Sequence, residues 1–89
     1  MDEATILNIL RAYIVEKLLE GDDDGLDAET PLLEWGLLNS MEMLKLIAFI
    51  EEQFRVVLPP RDLMPEHFRT LGSATQLVNR YTSLRGGLP

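Results

Sequence analysis

Few residues in this chain could do chemistry, and their spacing narrows the choice further. Of its 89 residues one is histidine, His67, and none is cysteine. Thiolate metal sites, cysteine nucleophiles and disulfides are therefore excluded. No serine stands in evident partnership with His67, so a locally hydrogen-bonded or partly exposed ring is its expected role, not catalysis. Adjacent carboxylates occur at Glu51-Glu52 and at Asp22-Asp23-Asp24. The first pair lies in an amphipathic helical pattern and reads as a solvated face rather than an acid–base couple. The three aspartates sit between Gly21 and Gly25 without the twelve-residue ligand spacing and closing glutamate of an EF-hand, so they read as a solvated turn. What remains is the hydroxyl of Ser40, which with Asn39 interrupts the apolar stretch from Leu32 to Leu44.

The position of Ser40 is set by the helix that starts there. Asn39 is a good N-cap residue, and Glu42 three positions later can reach back to the cap amide. That leaves Ser40 at the first helical position, its hydroxyl free of cap duty and surrounded by unpaired amides at the positive end of the helix dipole. Such a site tolerates an anion, a phosphate ester included. The helix is expected from Ser40 to about Phe54, since no proline or glycine interrupts it and Pro59-Pro60 prevent its continuation.

At about 100° per residue, Met43, Leu46, Ile47, Ile50 and Phe54 form a stripe wide enough to be buried. Met41, Leu44 and Ala48 form a second stripe beside Ser40. A small domain rarely needs two. Either the second stripe is an exposed patch that docks into a partner's groove, or the preceding loop folds over it; helical spacing leaves both open. Phe49 belongs to neither stripe.

The other elements follow from the same periodicity. Ile6, Leu10, Ile14 and Leu18, widened by Leu7 and Val15, predict a helix from about Ala4 to Leu19. Leu26 to Leu38 contains Thr30-Pro31 and Gly36 yet is rich in leucine, which predicts an ordered loop pinned to the core. Met64 to Arg69 predicts a single helical turn with Pro65 near its start and Phe68 inward. Ser73, with Gln76 in the capping-box position, predicts the cap of a last helix whose inward residues are Leu77, Val78 and Tyr81. Residues 85–89 are expected to fray. The fold class is thus all-α: a small four-helix bundle with a long first loop and a short third helix, one domain over residues 1–85.

Fifteen acidic and eight basic residues give a formal charge of −7. This argues against nucleic acid, whose phosphates need a positive surface, and suits partners with basic patches. No stretch resembles a signal peptide or a membrane span, so a cytoplasmic protein without membrane attachment is expected. A monomer is the expected state, and a domain this small leaves little room for a deep substrate cleft.

The segment Glu34-Trp35-Gly36-Leu37-Leu38-Asn39-Ser40-Met41 resembles the attachment motif of acyl and peptidyl carrier proteins, and the order of elements, acidity and Leu58-Pro59 break extend that resemblance over almost the whole chain. The resemblance implies that Ser40 carries covalent 4′-phosphopantetheine, whose thiol holds a substrate as a thioester. It further implies that Leu38, Asn39, Met41, Leu44 and Ala48 form the surface that partners read, with the second stripe exposed. Asn39 stands where the family usually has aspartate, and Lys45 where carriers of fatty-acid synthesis are often acidic; both count against docking with fatty-acid synthase enzymes.

A narrower likeness runs through Thr30-Pro31-Leu32-Leu33-Glu34-Trp35-Gly36, Leu38-Asn39-Ser40-Met41 and Lys45-Leu46 to free-standing prolyl carriers of pyrrole-forming pathways. The implied partners are a phosphopantetheinyl transferase with coenzyme A, an adenylating amino-acid ligase, a flavin acyl dehydrogenase and a downstream acyltransferase or synthase. The implied protein has no catalytic site of its own. The D-alanyl carriers of teichoic acid modification share Gly36-Leu37-Leu38 and Ser40-Met41 and are the alternative within the family. Outside it stand an unmodified helical interaction module and a small acid-catalysed enzyme built on His67.

Overall fold

A computed structural model describes residues 2–17, 21, 26–34, 36 and 38–86, with side chains to residue 82. Among these residues there is no strand. The elements are α1 (Glu3–Lys17), α2 (Ser40–Phe54), two short 3-10 helices (Pro60–Asp62 and Pro65–Phe68) and α3 (Leu71–Gly86). The bundle therefore has three α-helices among the described residues, and the fourth helix expected around Met64–Arg69 is a four-residue 3-10 turn. Pro65 opens that turn and Phe68 is fully buried beneath it. Leu18, the aspartates of the acidic turn, Trp35 and Leu37 lie outside the described residues. So do residues 87–89 of the expected frayed tail, whereas Arg85 and Gly86 are the last residues of α3.

Burial explains why these segments are helices. Ile6, Leu10 and Ile14 share one face of α1 and are wholly buried, as are Leu46 and Ile50 of α2 and Leu71, Ala74 and Val78 of α3. Each large aliphatic side chain removed from water contributes about 1.5–3 kcal/mol, which outweighs the modest helix propensity of short segments. At the start of α1, Asp2 accepts the Thr5 amide at 2.8 Å.

The start of α3 departs from expectation. Thr70, not Ser73, is its cap: Thr70 Oγ1 accepts the Ser73 amide at 3.0 Å, and Ser73 Oγ accepts the Thr70 amide at 3.2 Å. The pair satisfies two donors reciprocally, and the helix gains the turn that begins at Leu71. Ser73 Oγ also donates to the carbonyl of His67 at 3.0 Å. This backbone carbonyl ties the half-buried His67 turn to α3.

The loop before α2 is held by both side chains and backbone. Leu26, Leu32 and Leu38 are buried in the core. Asp27 and Thr30 close a local turn, in which the buried Thr30 hydroxyl accepts the Asp27 amide and donates to its carboxylate. The Leu32 amide reaches the Arg69 carbonyl at 2.7 Å, and the Leu38 amide reaches the Leu32 carbonyl at 3.1 Å. Gly72 donates to Ala28 O at 2.8 Å; a Cβ on Gly72 would meet that oxygen at 3.1 Å, so the close approach favours glycine. Gly36 turns the chain with φ +74°, a left-handed conformation that glycine adopts without strain.

Beyond α2, Arg55 takes the left-handed conformation at φ 55° and closes the helix through its amide to Glu51 O. Glu51, expected as part of a solvated face, is structural: its carboxylate accepts the Leu58 amide at 3.0 Å. This contact holds the Val56–Leu58 segment, whose Val56 and Leu58 are buried, against the helix end.

Candidate functional site

The start of α2 is built by Asn39. With φ −90° and ψ −177° its backbone is extended, and its Oδ1 accepts the Glu42 amide at 2.8 Å. The helix begins at Ser40, and the Met43 amide closes on Asn39 O at 2.8 Å. The cap thus satisfies one first-turn amide through the asparagine side chain, and Ser40 keeps an exposed hydroxyl at the first helical position.

Of the chain's three serines, Ser40 and Ser73 have described side chains, and the structure treats them differently. Ser73 is committed: its oxygen takes part in the α3 cap and donates to His67 O. Ser40 is exposed on the surface. Glu42, the acid of the first turn, is half-buried, and its carboxylate is close enough to Tyr13 to help raise that phenol above its usual ionisation range, secondary to burial.

The two stripes of α2 separate as faces. Leu46, Ile47, Ile50 and Phe54 are buried and Met43 packs partly against them. Met41 is 64% exposed and Leu44 is 63% exposed, with Ala48 exposed beside them. Lys45 is also exposed. Leu38 requires a correction: expected on the partner-reading surface, it is 2% exposed, and its side chain anchors the loop in the core. It supports Asn39 from behind.

Phe49 follows a long-range contact that helical periodicity does not contain. Its ring stacks on Tyr13 of α1 with centroids 4.3 Å apart and planes at 27°. The pair joins α1 to α2 on the flank of the buried stripe, where offset aromatic packing adds about 0.5–1.5 kcal/mol beyond area burial. Among the described residues no group of three or more potential metal-ligating side chains occurs, and no helix is long and apolar enough to cross a membrane.

Among the described residues, then, an exposed serine at a helix start lies beside an exposed apolar stripe on a helical bundle. The chain belongs to the carrier-protein family whose model, described as "Phosphopantetheine attachment site", matches residues 8–78. It is 31% identical over 80 residues to "Probable acyl carrier protein PigG" of Serratia sp., covering 90% of this chain and 87% of that one. It is 26% identical over 73 residues to "Aminoacyl carrier protein 2" of Bradyrhizobium diazoefficiens, covering 82% and 78% respectively.

Among solved structures, "Structure of KstB-PCP(apo)" is similar with a TM-score of 0.74 and 26% identity over 89% of this chain and 88% of that one. A chain from a structure described as "Crystal structure of FAD-dependent dehydrogenase" is similar with a TM-score of 0.70 and 42% identity, over 78% of this chain and 97% of that one. The cofactor of the family is 4′-phosphopantetheine. The site fits it: an exposed hydroxyl to esterify, first-turn amides and the helix dipole to favour the phosphate, and an uncharged Asn39 alongside.

Proposed function

We propose that Ser40 is the attachment residue and that the chain carries an L-prolyl group, later a pyrrolyl group, between partner enzymes. The observation that carries the assignment of Ser40 is its exposed hydroxyl at the first position of α2, in contrast to the cap-bound Ser73. When bound, the prosthetic group supplies the thiol that this cysteine-free chain lacks, and the cargo rides on it as a thioester.

The chain's own residues do the positioning. Asn39 fixes the helix start, and Leu38 anchors the backbone immediately before it. Met41, Leu44 and Ala48 present an apolar surface on which a transferase, an adenylating ligase or an oxidising enzyme can seat while it works on the cargo. Three features support the aminoacyl reading: the prolyl-type sequence pattern, similarity to a protein named as an aminoacyl carrier, and similarity to a small chain from a structure described as an FAD-dependent dehydrogenase. The last of these suits a flavin enzyme that oxidises the tethered ring.

The test has two stages. Incubation with coenzyme A, Mg²⁺ and a broad-specificity phosphopantetheinyl transferase is expected to add one arm by intact mass, and Ser40→Ala to add none. The arm-bearing protein is then offered its adenylating ligase, ATP and a panel of amino acids. Loading of L-proline is expected; preference for D-alanine, or for no amino acid, refutes the prolyl cargo. An adduct that persists in Ser40→Ala refutes the site.

A further inference from the structure

Three of the four charged residues of α2 are acidic: Glu42, Glu51 and Glu52. Lys45 is the exception, and it lies at the edge of the exposed stripe, one turn after Met41 and one turn before Ala48 and Phe49. Its side chain is exposed and has no ion-pair partner among the described residues. Glu42, three residues earlier, is half-buried and forms no ion pair with it. In a chain of formal charge −7, the exposed stripe is therefore bordered by an ammonium that is unpaired among the described residues.

Docking Met41, Leu44 and Ala48 into a groove brings that ammonium to the rim of the contact. There an uncompensated cation loses hydration without return, whereas a carboxylate opposite it provides a charge-assisted hydrogen bond. We infer that Lys45 selects partner enzymes whose stripe-binding groove carries an acidic residue at its edge, and disfavours those with a basic edge. This rests on the carrier reading above and adds to it the chemistry of the partner. The general acidity of the chain attracts basic surfaces at long range, while Lys45 imposes a local condition of opposite sign at the contact itself.

The experiment uses the arm-bearing protein and an adenylating ligase that loads the wild-type chain, whatever its amino acid. Lys45→Ala and Lys45→Glu are compared with Lys17→Glu, an equal change in net charge at the exposed end of α1. Lys45→Glu is expected to lower loading kcat/KM by about tenfold or more, mainly through KM, and Lys45→Ala by a smaller factor. Lys17→Glu is expected to stay within about twofold, as an exposed charge on α1 outside the α2 stripe. Binding of the unmodified chain to the ligase, measured directly, should fall in the same order, and the Lys45 contribution should shrink at high salt.

Reversing the ligase's groove-edge carboxylate to lysine should restore binding to Lys45→Glu. Equal loading and binding by Lys45→Glu and wild type overturns the inference while leaving the carrier reading intact. Equal losses in Lys45→Glu and Lys17→Glu overturn it too, because net charge would then be the cause. A wild-type chain that accepts no arm removes the carrier reading, and this inference with it.

Discussion

Leu44 and Leu46 stand two residues apart on α2 and should behave oppositely when changed. Leu46 is 0% exposed within the core, and Leu44 is 63% exposed. Leu46→Ala removes buried methyl and methylene groups and leaves a cavity that the surrounding helices only partly fill, a loss of about 3 kcal/mol. For a domain of this size each kcal/mol moves the thermal midpoint by roughly 4–8 °C, so the expected fall is about 12–24 °C. Leu44→Glu leaves no cavity and strands no buried charge, and should cost no more than about 0.5 kcal/mol. Its effect belongs to function: the partner's groove would meet a carboxylate where it now meets a leucine, and loading should drop while the fold persists.

Thermal and urea unfolding followed by circular dichroism give the stability difference. Loading of the arm-bearing variants by the adenylating ligase gives the functional one. A Leu44→Glu protein that melts as early as Leu46→Ala would refute the assignment of the two faces. So would a Leu44→Glu protein loaded as efficiently as wild type, since the exposed stripe would then have no reader.

Asn39→Ala should lower stability by about 1 kcal/mol by removing the acceptor of the Glu42 amide, and Asn39→Asp should retain most of it; urea midpoints at constant slope decide. Thr75 is 4% exposed and its Oγ1 has no hydrogen-bond partner among the described residues, beside a cleft of about 270 Å³ lined by Leu7, Ala28 and Gly72. Thr75→Val should therefore raise the thermal midpoint, by an amount corresponding to roughly 1 kcal/mol, whereas a lowered midpoint would mean that solvent in the cleft satisfies the hydroxyl. Burial, assisted by Glu42, holds the Tyr13 phenol above its ordinary range of about 10. The folded state then retains a proton that the unfolded state releases, so this contribution is full below pH about 10 and is lost as pH rises through the folded value. Alkaline unfolding followed by circular dichroism should show a smaller loss in Tyr13→Phe.

The sequence carries α2 almost completely, because every determinant of that helix is local. Asn39 caps it, no glycine or proline interrupts it, and the prolines after Leu58 end its neighbourhood. The same periodicity distinguishes Leu46 from Leu44. It does not reveal what Phe49 meets, since Tyr13 is brought there by the packing of α1 and not by spacing within α2. Glu51 was similarly opaque: two neighbouring glutamates look alike as a solvated face, and only the return of the chain at Leu58 gives one of them an amide to hold.

Leu38 shows the limit at the site itself. The family resemblance implied a place for Leu38 on the partner-reading surface, but the hydrogen bond from its amide to the Leu32 carbonyl and the burial of its side chain turn Leu38 inward. The cap of α3 was displaced by three residues because Thr70 and Ser73 satisfy one another, and a serine in a capping box can occupy either end of the motif.

The backbone bonds from Arg69 to Leu32 and from Leu32 to Leu38 form a short relay that stops one residue before Asn39. Mechanically, this clamps the root of the proposed tether to the beginning of α3. A load on Ser40 is shared with an element more than thirty residues away in sequence. Under the proposed attachment at Ser40, movement of the cargo would then fall to the tether, with its pivot held by the bundle. Loosening the relay, for instance by shortening the loop between Leu32 and Leu38, would blur the pivot without touching the serine, and successive enzymes would receive the cargo from a less reproducible direction.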